Sequence, residues 1–410
     1  MKNKLLLSLF VSALLSANSQ TDNLKEQIAT QKKNLELLQK KVAKIENTNI
    51  QQMQIQKNIS SSFSQSAYLP DIALIVNMSA ISRDVKNSAY ANFAIPGFID
   101  TGTGNLPFNK DRGFNLNYAE LALHSVVDPY FEVFANFHLH PNEFEIGEAY
   151  VLTTSLPSGL RIKAGKFKSA FGRINEKHQH SWYFDEQPII YKSLFGPDSI
   201  SDAGIQLQWV APTDTYIMAG IEAMQGTNDR SFGDTEENNL YLAYLKSSLD
   251  LSDNLSILSG ISFARGKTAS QKDSNLYGID FTLREQLGSY SSIIWQSEYL
   301  QRNKKTTNTT DKQAGLYTQL IYQYNNNYSA GIMYDTITKN NTDLSTFSAT
   351  YTNNLDKYTA MLQYKPFPFS RLRLEYSYDR TKVINGHRKD INTLMLTLNI
   401  AAGAHSAHSY

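Results

Sequence analysis

The sequence predicts an all-β protein, a transmembrane antiparallel β-barrel of about sixteen strands, with eighteen strands as the alternative. From Leu69 onward, apolar and polar residues alternate with a period of two. The 410 residues include 24 Tyr and 20 Phe, yet no apolar run beyond the N-terminus approaches the 20 residues of a membrane helix. A barrel places apolar residues at every second position. A secreted soluble β-protein also alternates, but it has no reason to place Tyr and Phe near the ends of its exposed faces.

The first nineteen residues have the three parts of a secretory signal peptide. Lys2 and Lys4 form a basic start, Leu5 to Leu15 an apolar stretch, and Ala17-Asn18-Ser19 a small-residue cleavage site. The chain contains no Cys, which argues against a lipoprotein anchor and against disulfide bonds. We therefore exclude residues 1–19 from the fold and expect export from the cytoplasm.

The heptad spacing of apolar residues in 20–60 predicts a periplasmic α-helical coiled coil. Residues 20–60 contain no aromatic residue, Gly or Pro. Three heptads are the lower limit for this prediction, and a lone helix of this kind is marginal in water. Self-association, as a trimer, is favoured over a loose amphipathic linker. The apolar seam residues are Leu24, Ile28, Leu35, Leu38, Val42 and Ile45. Residues 61–68 then form a linker, and 69–410 the barrel.

The later strands show the alternation plainly. Leu372, Leu374 and Tyr376 share one face, and Arg373 and Glu375 the other, because successive side chains project to opposite faces. We count seventeen candidate strands between about residues 70 and 400. A single-chain bacterial barrel normally has an even number, so one strand is miscounted, or one is hidden in a loop such as 84–98. Sixteen strands leave an aqueous channel, whereas eight would be filled by side chains.

Connection lengths support the barrel. Short turns on one side and long loops on the other are typical of outer-membrane barrels. The short connections are 128–129, 155–159, 211–215, 287–289 and 325–327, and the long polar ones are 81–112, 170–202, 226–238 and 301–312.

One long loop carries an unusual density of charge. In AGKFKSAFGRINEKHQHSW (164–182), a strand with a basic face runs into a loop with further basic groups and two histidines. We expect this segment to line a pore constriction that favours anions, or one with opposed charges on its walls. The compatible alternative is that the charges form salt bridges that hold the loop against the wall. The candidate constriction residues are Arg161, Lys163, Lys166, Lys168, Arg173, Asp185 and Glu186.

Two His-x-His pairs suggest a metal site. His138 and His140, and likewise His178 and His180, are two residues apart. On a strand, such side chains face the same way about 6–7 Å apart. Zinc accepts His nitrogens, normally with four ligands. Histidines that simply hydrogen-bond in the lumen are the competing interpretation. Carboxylates that could complete the shell are Glu120, Glu132, Glu145, Glu148 and Asp185.

Residues 113–226 resemble a known family. GFNLNYAELAL, VDPYFEVFANFHLH, FEIGEAYV, the segment LPSGLRIKAGKFKSAFGRINEKHQHSWYFDEQPIIYKSLFG and GIQLQWVAPT resemble Gram-negative outer-membrane porin-like proteins. Members are often described as zinc-regulated or "TonB-dependent" receptors, and GKFKSAFG is similar to phosphate-selective porins. The resemblance implies a barrel, as a trimer, that admits small solutes and has a link with zinc supply. The TonB-dependent description does not fit, because residues 20–68 are too few for a plug domain.

The function expected is a porin-like channel in the outer membrane of a Gram-negative bacterium, for passive diffusion of small hydrophilic solutes. Metal ions and small anions are the candidate solutes. The alternatives are a structural anchor whose stalk (20–60) binds peptidoglycan or a partner, and a dedicated zinc-uptake channel. The sequence shows no nucleophile, base and acid combination, so no enzyme is expected, and no cofactor beyond zinc. With 39 Lys and Arg against 38 Asp and Glu, nothing favours nucleic acid.

Overall fold

A computed structural model describes residues 32, 70–100, 111–140, 143–342 and 355–403. The predicted signal peptide, coiled coil and linker therefore lie outside the described residues, apart from Lys32. The chain divides into two units, residues 1–69 and 70–410, and the sheet belongs to the second.

Sixteen long strands make up the sheet within the described ranges. Each strand pairs antiparallel with the next along the chain, and the first strand also pairs with the last, Val76 lying opposite Ile400. The sheet therefore closes into a barrel, and the prediction of sixteen strands is confirmed. The strands are β1 (Asp71–Arg83), β2 (Gly113–Asp128), β3 (Phe131–His140), β4 (Glu143–Thr153), β5 (Leu160–Lys168), β6 (Ser201–Val210), β7 (Tyr216–Met224), β8 (Leu240–Ser252), β9 (Leu255–Lys267), β10 (Asp273–Gln286), β11 (Ser292–Lys305), β12 (Thr310–Gln323), β13 (Tyr328–Asn340), β14 (Asp356–Tyr364), β15 (Ser370–Ile384) and β16 (His387–Gly403).

A further two-residue strand, Phe93–Ala94, pairs with Val383 and Ile384 at the end of β15. It lies in the first long loop, where the sequence left room for a hidden strand. It is too short to cross the wall, so the even count of wall strands stands.

The two faces of the wall differ as the alternation predicts. Leu372, Leu374 and Tyr376 are exposed on one face of β15, whereas Arg373 and Glu375 are buried on the other. Exposed aromatic residues collect at the end of the barrel that carries the short turns, as in the interfacial girdles of membrane barrels. These residues are Tyr130, Tyr216, Tyr290, Tyr324, Tyr328, Tyr364, Phe367 and Phe369.

The connections at the two ends of the barrel also differ. The turns after β2, β4, β6, β8, β10, β12 and β14 have two to six residues and lie at one end, because antiparallel strands alternate in direction. The opposite end carries the long connections 169–200 and 225–239 and the described parts of 84–112 and 341–355, together with shorter turns such as 268–272 and 306–309. The prediction of a long loop over 301–312 was wrong. Strands β11 and β12 extend into it, because Lys304 pairs with Asp311 and Lys305 with Thr310.

Helices are short. α1 (Asn87–Tyr90) lies in the first long loop and α2 (Ile189–Phe195) in the loop 169–200, and 3-10 turns occupy Pro157–Gly159 and Gln179–Ser181. Among the described residues, no helix has the length and apolar character required to span a membrane.

Replacing Ile332 with Arg tests what surrounds the outer face. Ile332 is 60% exposed in β13, opposite Leu320 and Ala360 on the neighbouring strands. In hydrocarbon, an Arg near the bilayer midplane costs about 2–4 kcal/mol. We expect equilibrium unfolding in lipid vesicles to show that loss. The control Asn326→Arg introduces the same side chain in an exposed short turn and should cost almost nothing. Equal stabilities of the two variants would contradict a lipid-facing surface.

Candidate functional site: the barrel lumen and its inner loop

The loop 169–200, here called the inner loop, lies inside the barrel. Hydrogen bonds and ion pairs link it to inward-facing side chains on ten of the sixteen strands. These wall residues are Glu120 (β2), Asn136 (β3), Glu148 (β4), Glu222 (β7), Lys246 (β8), Ser262 (β9), Glu298 (β11), Asp335 (β13), Lys357 (β14) and Arg373 (β15). A segment held from so many directions has a defined position across the lumen.

A buried ion pair fixes the middle of the inner loop to β15. The guanidinium of Arg373 donates to Asp185 Oδ1 at 2.9 Å and to the carbonyl of Trp182 at 3.0 Å. Glu375 accepts from the backbone N–H of Asp185 at 2.8 Å. Arg373 and Asp185 are each 1% exposed. Both charges are therefore satisfied only while the loop stays in place, because a buried charge without its partner is costly.

A second charged group holds the loop beside β14. Glu186 pairs with Lys192 on α2, at 3.4 Å, and with Lys357. Burial alone would raise the pKa of Glu186, but Lys192 and Lys357 lower that pKa well below its usual value. Glu186 is therefore ionised at neutral pH and joins the loop helix to the wall.

The start of the inner loop is held by Glu298 of β11. Its Oε1 accepts from the backbone N–H of Arg173 at 3.1 Å and from the hydroxyl of Tyr191 at 2.8 Å. Gly172 has a φ of +66°, and a Cβ there would collide with the Glu298 carboxylate. Only glycine fits this approach without strain.

Apolar contacts seal the long-loop side of the inner loop, and a separate apolar cluster lies nearer the short turns. Phe171, Ile190, Leu194 and Phe195 belong to one buried cluster that also includes wall residues such as Leu300. In the predicted Trp182-Tyr183-Phe184 anchor, Phe184 packs in a separate cluster formed with Ile294, Ile321, Met333 and Met361. These contacts remove apolar surface from water and stabilise the inserted position.

On its other side, the inner loop faces a cavity of about 860 Å³. The cavity lies between loop residues 176–183 and the short turns 325–327 and 368–370. Its basic lining residues are Arg161, Lys163, Lys168, Lys177, Arg284, Lys365, Arg371 and Arg373, and its acidic ones Glu132, Glu148 and Glu176. Basic groups outnumber carboxylates, so the potential inside is positive.

Six of these basic groups have no carboxylate oxygen within 4.0 Å in the part of the chain that the structure describes. The other two, Arg371 and Arg373, share Asp185. The ammonium of Lys163 lies over the rings of Tyr150 and Phe167, at 4.8 and 5.3 Å from their centroids. The six are Arg161, Lys163, Lys168, Lys177, Arg284 and Lys365.

The predicted constriction residues occupy four environments. Arg161, Lys163 and Lys168 line the cavity. Lys166 instead donates to the carbonyl of Ile146 at 2.6 Å and pairs with Glu145 at 3.6 Å. The backbone N–H of Arg173 is bound to Glu298. The acidic pair Asp185 and Glu186 holds the loop to the wall, as described above. The lumen thus combines a basic lining with the salt bridges that the sequence offered as the alternative.

The predicted histidines gather where the inner loop meets β2, β3 and β4. Glu120 Oε2 is 3.6 Å from His138 Nε2, 3.8 Å from His178 Nδ1 and 3.4 Å from His180 Nδ1. His178 Nε2 is 2.5 Å from Glu148 Oε2. We call these five residues the His-Glu cluster.

The remaining candidate ligands lie around or away from this cluster. Glu145 Oε2 is 3.9 Å from His138 Nδ1, and the rings of His138 and His140 are 6.3 Å apart. Glu132 instead lies 3.6 Å from His124. Asp185 is bound to Arg373.

Comparison with known proteins shows one relative of the chain. No family model matches it. It is 36% identical to a protein of Aquifex aeolicus (strain VF5) described as uncharacterized, over 385 residues that cover 85% of this chain and 82% of the relative. The chain belongs to the same family as this relative. The link of that family with zinc, which the sequence resemblance implies, stays a prediction.

Solved structures of similar fold are outer-membrane barrels. The outer-membrane channel DcaP of Acinetobacter baumannii has a TM-score of 0.53 at 11% identity, and the alignment covers 84% of this chain and 100% of DcaP. The anion-selective porin of Comamonas acidovorans has 0.52 at 8%, covering 81% and 99%. OmpF of Salmonella typhi has 0.51 at 10%, covering 83% and 99%. This chain therefore has the fold of outer-membrane porins.

Sequence reasoning did not assign several lumen residues to the site. The alternation already placed Arg373 on the inward face, but no motif linked it to Asp185, which is 188 residues away. Arg284 and Lys365 come from other distant strands and turns. Alternation gives the face of a residue but not its height in the barrel, so these residues could not be grouped.

Replacing Arg373 with Met tests the fixation of the inner loop. It leaves Asp185 and Glu375 buried without their guanidinium, so we expect a loss of about 3–5 kcal/mol in the free energy of unfolding, measured in detergent or lipid. Arg265→Met is the control. Arg265 is 62% exposed and 3.9 Å from Asp273, so its loss should cost about 0–1 kcal/mol. If both variants lose the same stability, Arg373 does not hold the loop.

Proposed function

We propose that the protein is an outer-membrane channel for passive diffusion of small hydrophilic anions. The observation that carries this proposal is the cavity of about 860 Å³ inside the barrel, with its excess of basic groups. The porin fold supports it, because a barrel of sixteen strands leaves an aqueous interior. The exposed apolar face and the aromatic residues at the short-turn end support placement in the outer membrane, with the short turns in the periplasm.

The charges in the cavity favour anions for a simple electrostatic reason. A unit charge about 7 Å from a solute ion in water contributes about 0.6 kcal/mol, which changes the local ion concentration about threefold. Several basic groups without a carboxylate partner therefore concentrate anions and exclude cations. The inner loop supplies Lys177 to this lining and narrows the passage, so solutes must move past the basic groups at close range.

The same charges speak against zinc as the transported solute. A divalent cation would meet repulsion from Arg161, Lys163 and Lys177 in the cavity. A free phosphate or another small anion fits this lining better. Assembly as a homotrimer, and contact of residues 20–60 with peptidoglycan, stay predictions. A purely structural anchor is the competing function, and it would conduct no ions.

Single-channel recording in planar bilayers tests the channel. We expect discrete conductance steps, and reversal potentials in a salt gradient that show anion preference. Arg161→Glu combined with Lys163→Glu should reverse that preference at low salt, because each substitution replaces a positive charge at the cavity with a negative one. The control Lys389→Glu makes one such Lys-to-Glu change, for comparison with Lys163→Glu alone, at an exposed site that does not line the cavity. Absence of steps would leave the structural anchor, and an unchanged preference in the double variant would contradict the basic lining.

The anion preference should also depend on pH. Burial, reinforced by the charge of Arg173, lowers the pKa of Lys177 to about 8. Lys177 is then mostly charged at pH 7 and mostly neutral at pH 9, so anion preference should fall between these values. Reversal potentials recorded from pH 6 to pH 10 measure the effect. The variant Lys177→Met should already show the lower preference at pH 7 and vary less with pH. A profile that Lys177→Met does not flatten would show that other groups titrate.

A further inference from the structure

We infer that the His-Glu cluster binds one divalent transition-metal ion of the zinc class, which joins the inner loop to the barrel wall. The ligands would be Glu120 of β2, His138 of β3 and His178 of the inner loop. Their three ligand atoms lie within 4.8 Å of one another. This site does not depend on whether the barrel conducts anions.

The separations within the cluster fit shared coordination better than direct hydrogen bonds. Glu120 Oε2 is 3.6 Å from His138 Nε2 and 3.8 Å from His178 Nδ1, whereas N–H···O hydrogen bonds are about 2.7–3.2 Å long. Two ligand atoms on one tetrahedral zinc ion, with bonds of about 2.0–2.1 Å, are about 3.3–3.4 Å apart. A shift of a few tenths of an ångström would therefore bring each nitrogen to the separation from the carboxylate oxygen that a shared ion requires, and the two nitrogens themselves lie within 4.8 Å of each other.

The partners of His178 orient it as a metal ligand. Its Nε2 lies 2.5 Å from Glu148 Oε2, so the hydrogen on Nε2 is assigned to that bond. Nδ1 is then the nitrogen that carries the lone pair, while Asn136 Nδ2 lies at nearly equal distances of 3.3 and 3.2 Å from Nδ1 and Nε2. A carboxylate that holds one nitrogen of a His while the other binds metal is the usual arrangement of zinc sites. Glu148 would thus orient His178 without itself binding the ion.

Charge balance supports a cation at this position. Glu120 is 1% exposed, and the imidazoles of His138, His178 and His180 lie within 4.0 Å of its carboxylate. Among the described residues, no Lys or Arg side-chain nitrogen lies within 4.0 Å of the Glu120 or Glu148 carboxylates. A buried carboxylate requires a compensating charge, and a divalent cation balances these two carboxylates.

The ligand atoms of the cluster determine which kind of ion it prefers. Imidazole nitrogens favour zinc and neighbouring transition metals, whereas calcium and magnesium prefer oxygen ligands. His180 Nδ1, 3.4 Å from Glu120 Oε2, or a water molecule would complete four ligands. Both His180 and Glu148 also line the basic cavity, so the cluster lies at its edge.

Cobalt absorption tests the site in the full-length chain, purified without a His tag and treated with EDTA. We expect one Co²⁺ per chain, with visible bands of low-coordinate cobalt that Zn²⁺ abolishes and Mg²⁺ does not. Glu148→Gln should weaken Co²⁺ binding by about 10–100-fold, and His138→Ala by more. The control His387→Ala, which lies outside the cluster, should bind normally.

A second variant keeps the test valid if an alanine substitution disturbs folding. The chain has no Cys, so His178→Cys introduces a single thiolate at the proposed ligand position. Bound Co²⁺ should then give a thiolate charge-transfer band. No such band, or binding that His138→Ala leaves unchanged, would overturn the inference. A metal-free protein that conducts but never binds Co²⁺ would refute this site alone, whereas normal binding without conductance would refute the proposed channel alone.

Discussion

The position of the inner loop depends on one constraint: polar backbone and charged groups placed inside the barrel must find partners there. The wall provides them as carboxylates and cations that point inward. Glu298, Glu375 and Asp335 accept backbone N–H groups of the loop, and Arg373 neutralises Asp185. Without these partners the same segment would lose more in desolvation than it gains from its apolar contacts. The inward-facing charged residues of the wall therefore have two roles: they bind the inner loop, and they line the space that is open to solutes.

The inner loop also makes the two halves of the lumen chemically different. Its long-loop side is packed with aromatic and aliphatic residues, including Phe171 and Phe195. Its short-turn side faces a cavity with basic groups. The two sides come from different stretches of one segment. The helix α2 supplies much of the apolar side, while residues 176–183 face the cavity.

The fold could be read from the sequence because the lipid environment imposes a period of two on every wall strand, and residues such as Leu374 and Arg373 obey it. The strand count needed one further argument, that antiparallel closure favours an even number. The candidate site could be predicted from the sequence only in part. The spacing of His138, His140, His178 and His180 signalled a cluster, and their carboxylate partner Glu120 was among the candidates. Which carboxylate pairs with which cation could not be derived, because Asp185 and Arg373 meet through closure of the barrel and not through local sequence. The loop predicted over 301–312 failed for another reason: its polar residues were taken as solvent-exposed, although strands can extend past the apolar band.

The long sequence separation of the loop contacts has a consequence for biogenesis. The inner loop leaves the wall after β5, but Asp185 is bound by residues of β15. Its carboxylate accepts from the guanidinium of Arg373, and its backbone N–H donates to the carboxylate of Glu375, 190 residues away. The loop and these groups meet only after the distant strands that carry them have been placed in the sheet, whichever end of the chain is inserted first. Until then the polar and charged groups of the loop must stay hydrated or be shielded. A correctly docked inner loop thus indicates that the barrel has closed.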